Sequence, residues 1–154
     1  MTTNALQGQL LRRLAERGGR VDPSTLGVSP KILPGTLLRC RQMKQVQRHD
    51  DGTYEITDAG RLAMLTPAMR AALLDLRERG EMQIVNVTHT IATGAIAKAT
   101  ARALDKTGLA EVDTPQPKRP AWARLTAAGK VLADRLAAER EANRCTAFAR
   151  RVLG

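Results

Sequence analysis

The chain of 154 residues has few aromatic side chains to build with: one tryptophan, one tyrosine and one phenylalanine. Its core must be filled by aliphatic residues and alanine, and an apolar content of 43% supplies enough of them to bury one. Cysteine is almost as scarce. Cys40 and Cys145 stand far apart with no CxxC pair, which argues against a disulfide framework. The two histidines, His49 and His89, make no cluster with them at metal-ligand spacing, so no metal site is expected. No serine or cysteine nucleophile sits in a recognisable setting and no glycine-rich loop follows a strand, so neither a catalytic centre nor a cofactor is expected. No apolar run approaches the roughly 18 residues of a membrane span. The N-terminal stretch is amphipathic and carries arginines, like an organellar presequence, but lacks the apolar core of a signal peptide. The expectation is a soluble protein of a reducing compartment, with no membrane partner.

What the chain does have is positive charge. It carries a net charge of +10 and a pI near 10.8, which favours a polyanionic partner because neutralised phosphates release counterions. The excess is spread evenly: ten cations against six anions to residue 65, nine against six from 66 to 125, and six against three beyond. The acidic pairs Asp50-Asp51 and Glu139-Glu141 are accounted for by a turn and a solvated helix face.

The most informative stretch runs from Leu26 to Leu62. Ser29-Pro30 reads as a helix N-cap with a first-turn proline. Leu33, Leu37, Cys40 and Met43 then fall on one apolar stripe at helical spacing, with Lys31, Arg39 and Gln42 on the opposite face. Pro34-Gly35 lies inside that span, so the helix either begins at Pro34 or is kinked there. Asp51-Gly52 between two short strand-like runs predicts a tight hairpin, and Thr57 caps the helix that follows. Upstream, Asn4 to Arg17 predicts a helix with Leu6, Leu10, Leu11 and Leu14 on its buried face and a stop at Gly18-Gly19. Asp22-Pro23 caps a short helix to Leu26.

After Thr66-Pro67, another cap and first-turn proline, the pattern repeats. ALLDLRERG echoes LLRRLAERG at an offset of 62. Thr93-Gly94 takes the place of Ser29-Pro30 at an offset of 64, which sets Ala97, Ala101 and Leu104 where Leu33, Leu37 and Cys40 stand. Leu125-Thr126-Ala127-Ala128-Gly129-Lys130 matches Ile56-Thr57-Asp58-Ala59-Gly60-Arg61 at an offset of 69. A second hairpin is expected, with Ala110 to Asp113 as one strand, Thr114 to Pro120 as a stiff basic tip and Ala121 to Leu125 as the return. Period-two alternation turns Ala123 and Leu125 inward and Trp122 and Arg124 outward. Trp122 then lies against sugar-phosphate or a partner, unless the terminal helix covers it. His89 is placed on the helix ahead of the one that carries Ala97, Ala101 and Leu104. From Thr126 a helix of some 27 residues, roughly 40 Å long, carries a stripe of Val131, Leu132, Leu136, Ala142, Cys145, Ala149 and Val152. It reads as a dimerisation helix or as a strap over the first unit.

LGVSP entering a helix resembles the helix-turn-helix entry of many bacterial repressors, and YEITDAGR resembles the strand-to-helix junction after the wing in MarR-like and PadR-like regulators. The resemblance implies a mainly α fold with small β-hairpins, an α+β class. It would comprise two tandem winged helix-turn-helix domains, 1–65 and 66–130, and a long C-terminal helix over 131–154. It also implies pairing of subunits through terminal helices. The expected function is sequence-specific binding of double-stranded DNA, as a transcriptional regulator in the cytoplasm beside the nucleoid. Expected DNA contacts are Lys31, Arg39, Gln42 and Arg48 in the first unit, and Lys98, Arg102, Lys118, Arg119, Trp122 and Arg124 in the second. A tandem winged-helix protein-interaction module and a plasmid or phage replication initiator are the alternatives.

Overall fold

Asn4 and Gln7 begin the fold by closing the first turn of helix α1 (Ala5–Arg17) on each other. The Gln7 amide donates to the Asn4 side chain at 2.9 Å, and the Asn4 amide to the Gln7 side chain at 3.0 Å, which satisfies two amides that have no partner inside the helix. A computed structural model describes residues 3–86, 94–113 and 121–153 of the chain. After α1 comes a short 3-10 helix (Pro23–Leu26), then α2 (Leu33–Gln42), strands β1 (Val46–Arg48) and β2 (Tyr54–Ile56), and helices α3 (Asp58–Met64) and α4 (Pro67–Arg79). Strands β3 (Glu81–Val85) and β4 (Ala95–Ala97), helix α5 (Lys98–Lys106), strands β5 (Ala110–Val112) and β6 (Trp122–Leu125), and helix α6 (Ala127–Leu153) complete it. The fold is α+β: six α-helices, the last of them long and C-terminal, and two small sheets among the described residues.

Asp22, Thr57 and Thr66 each cap a helix through a side-chain oxygen. The hairpin at Asp51-Gly52 forms as expected, pairing Val46 with Ile56 and Arg48 with Tyr54. Gly52 takes a φ of 84° at its tip, a conformation that glycine adopts without steric cost. Val21 bridges Tyr54, adding a third strand position beside β2. In the larger sheet the order is β4-β3-β6-β5, with β3 antiparallel to β6 and parallel to β4.

The same joint is built twice. Past α2 the Gln45 amide donates to the Cys40 carbonyl at 2.8 Å, and past α5 the Leu109 amide donates to the Leu104 carbonyl at 2.8 Å. Beyond each hairpin a threonine hydroxyl reaches back: Thr57 to the Lys44 carbonyl and Thr126 to the Gly108 carbonyl, both at 2.7 Å. Each threonine oxygen also accepts the amide of a following glycine, Gly60 or Gly129, at 3.1 Å. A Cβ on Gly60 would collide with the Gln45 carbonyl, and one on Gly129 with the Leu109 carbonyl. Glycine is what lets the helix after each hairpin sit against the chain leaving the helix before it. All these correspondences keep the offsets of 64 and 69 read from the sequence.

Buried side chains form a single apolar cluster, with Leu10, Leu11 and Leu14 from α1, Leu73 and Leu76 from α4, Leu104 from α5 and Leu132 from α6. Helix α1 packs on α3, and α4 on α6.

Several expectations are corrected. Ser29 does not cap α2 with its side chain: its carbonyl accepts the amides of Ile32 and Leu33, and the helix starts only at Leu33 with no side-chain cap. Pro34 therefore stands in the first turn, where its missing N–H is no loss, and there is no kink. Leu6 is 48% exposed and its place inside is taken by Gln7, which is fully buried. The second unit does not enter its helix at Gly94: β4 intervenes, and α5 begins at Lys98 with no side-chain cap. Strands β3 and β4 were not expected, and the helix assigned to His89 lies outside the described residues. Helix α6 has the expected length, yet its burial stops early. Leu132, Ala133 and Leu136 are buried, Val131 is exposed, and every residue from Ala138 to Leu153 is exposed. It is no strap over the first unit. It contacts α3, with Arg135 3.8 Å from Asp58.

Candidate nucleic-acid interface

The buried stripe of α2 fixes which residues it shows outward. Thr36, Leu37 and Cys40 face the core, so helical spacing turns Gly35, Leu38, Arg39 and Gln42 to the far side, and all four are exposed. Burial pushes the Cys40 thiol up, opposed by the Gln7 side chain, as befits a core residue rather than a reactive one. Lys31 is exposed on the turn before α2 rather than on the helix. Arg48 is exposed on β1, at the hairpin base.

In α5 the core positions are Ala101 and Leu104. The outward face then carries Lys98, Arg102 and Lys106, four residues apart and all exposed, one line of cations along the helix. Lys106 was missed in the sequence reading, although its spacing from Arg102 would have placed it. At the offset of 64 these three stand where Pro34, Leu38 and Gln42 stand on α2. Arg41 and Lys44, exposed around the end of α2, are further cations that the sequence reading left out.

Much of the remaining positive charge is already occupied. Arg13, Arg17 and Arg70 donate to the backbone carbonyls of Leu26, Thr25 and Leu62. Arg77 meets Asp134 at 2.8 Å, and Arg61 and Arg135 share Asp58. Among the described residues no ion pair engages Lys31, Arg39, Arg48, Lys98, Arg102 or Lys106. Arg124 is different. It is exposed on β6 as expected, but lies 3.6 Å from both Glu81 and Asp113. The acidic neighbour that draws it away sits on β3, a strand the sequence reading did not foresee. Ala123 is fully buried and Trp122 only partly, beside Gln83 of β3, as the alternation required. Lys118 and Arg119 lie outside the described residues.

The first hairpin holds its own polar network. His49 Nε2 is 3.0 Å from Glu55, and the Asp51 carboxylate accepts the Thr53 hydroxyl at 2.6 Å and its amide at 3.0 Å. Those bonds hold the Asp51 carboxyl below the usual carboxylate range, with the Thr53 hydroxyl the largest cause and Arg20 and His49 adding to it. The network shapes the turn of the hairpin. Among the described residues no group of histidine, cysteine and acidic side chains could hold a metal ion, and no helix is long and apolar enough to cross a membrane.

Comparison with family models, curated proteins and solved structures gave no match. What the chain does must therefore follow from these residues alone.

Proposed function

We propose that the chain is a sequence-specific double-stranded DNA-binding protein, a transcriptional regulator that acts by binding rather than catalysis. In this reading each helix, hairpin and following helix forms one winged helix-turn-helix. Helices α2 and α5 enter the major groove and the hairpins reach the adjoining backbone. The observation that carries the reading is the line of Lys98, Arg102 and Lys106 on the outward face of α5, unpaired among the described residues and set just before a hairpin. Three cations along one helix match a phosphate backbone better than a folded partner, because each neutralised phosphate releases counterion. Arg39 and Gln42 on α2 have the donor patterns that read guanine and adenine edges. Lys118 and Arg119 are assigned to phosphate on the second wing. Arg124, held between two acids, is not assigned.

The rival reading, a protein-interaction module, has one observation in its favour: Ile32 and Leu38 on and beside the outward face of α2 are 40% and 52% exposed. On DNA, Leu38 would instead meet a thymine methyl. Titration of labelled random duplex across a salt series decides between them. DNA binding requires that the logarithm of the affinity fall linearly with log[salt], and selection from a random library should then return a preferred site. No duplex binding at low salt would hand the surfaces to a protein partner.

A further inference from the structure

We propose that the distal half of α6 pairs antiparallel with the same segment of a second copy of the chain, about an axis passing between Ala142 and Cys145. The first observation is that α6 has two apolar faces and uses one. Leu132, Ala133 and Leu136 face the core. At 3.6 residues per turn, Ala138, Ala142, Cys145, Ala149 and Val152 line the opposite side, with spacings of four, three, four and three residues, the alternation of a helix seam that packs on another helix. All are exposed, and Phe148, Val152 and Leu153 on and beside the seam are 69%, 64% and 86% exposed. Nothing in the described chain covers this side. Most helical stability in proteins comes from packing of an apolar face, and a partner on the seam would supply the packing that these sixteen residues lack.

Charge selects the partner and its direction. Acidic residues Glu139 and Glu141 lie towards the start of the free segment, and arginines Arg150 and Arg151 towards its end. A parallel pair would set Asp134 of one copy beside Glu139 of the other, like charge against like. In an antiparallel pair with Ala142 opposite Cys145 and Ala138 opposite Ala149, Glu139 comes beside Arg150 of the second copy and Glu141 beside Arg144. The same arrangement repeats across the axis, as a two-fold interface requires. A segment whose charges complement its own reverse is suited to a second copy of itself.

The test is made on the full chain in a Cys145→Ser background. Sedimentation should give a dimer, and Phe148→Asp with Val152→Asp should raise its dissociation constant about tenfold or more with helix content retained, since both side chains are exposed. Direction is read by introducing Ala138→Cys in one preparation and Ala149→Cys in another, both exposed positions. Under mild oxidation the mixture should crosslink and neither variant alone should do so. Crosslinking of each variant alone would establish parallel pairing and overturn the proposal, as would a monomer at every concentration. DNA titration of the double Asp variant separates this idea from the functional reading: a monomer that still binds duplex leaves that reading in place.

Discussion

Two helices on one scaffold present opposite chemistry. Pro34, Leu38 and Gln42 on α2 and Lys98, Arg102 and Lys106 on α5 occupy matching positions after the same core register, and the matching backbone hydrogen bonds at their exits, 3.0 and 3.2 Å at the widest, are nearly equal in length. The joint with its threonine and glycine is held constant while the outward face is free to change, because only the former is packed against backbone. The difference assigns the work. In the proposed function α5 would meet the uniform phosphate backbone, whereas α2, with one arginine, one amide and one leucine in reach, would meet base edges.

The largest expected effect tests whether the two joints are equivalent. Gly60→Ala and Gly129→Ala should each destabilise the fold by about 3 kcal/mol, since the added methyl meets main chain that cannot move aside. Urea denaturation measures both, and a loss at one site only would break the equivalence. Next is the division of labour. Replacing Lys98, Arg102 and Lys106 together with Ala should weaken preferred and random duplex alike and flatten the salt slope by about 0.9 for each phosphate no longer neutralised. Arg39→Ala should instead cost about 1–3 kcal/mol on the preferred site, with less effect on random DNA. Equal effects from both changes on both DNAs would erase the contrast between α2 and α5.

A smaller effect is expected at Arg124. Its removal should leave the salt slope unchanged and cost no more than about 1 kcal/mol of stability, since its ion pairs are exposed. A fall in slope would return Arg124 to the phosphate-binding set. The smallest concerns acid. The Asp51 carboxyl titrates lower folded than unfolded, so its contribution is complete at neutral pH and lost as pH falls through the depressed folded value, below about pH 4. Amide shifts of Gly52 and Thr53 should follow that loss and Asp51→Ala should abolish it.

Local signals were legible wherever the chemistry is local. Asp22-Pro23, Thr57 and Thr66-Pro67 each cap the helix they were assigned, Asp51-Gly52 turns the hairpin, and the repeat offsets survive down to single hydrogen bonds. What escaped depends on partners distant in sequence. EMQIV becomes β3 because β6 lies beside it, 37 residues or more further on, and without that strand the capture of Arg124 by Glu81 could not be read. Leu6 gave way to Gln7 because the capping box with Asn4 and a contact to the Met43 sulphur at 3.4 Å satisfy a buried amide. The start of α2 was misplaced because Ser29 serves through its carbonyl, which every residue has, rather than through the hydroxyl that marks a cap.

The contact between Gly129 and the Leu109 carbonyl makes α6 a lever. The helix is seated in its first turn against the exit of α5, is held by the core as far as Leu136 and runs on to Leu153 without a break, about 26 Å beyond Leu136 at 1.5 Å per residue. A tilt of about 5° where it leaves the core swings the far end by roughly 2 Å over that length. The methyl group missing at Gly129 thus sets the direction in which α6 points.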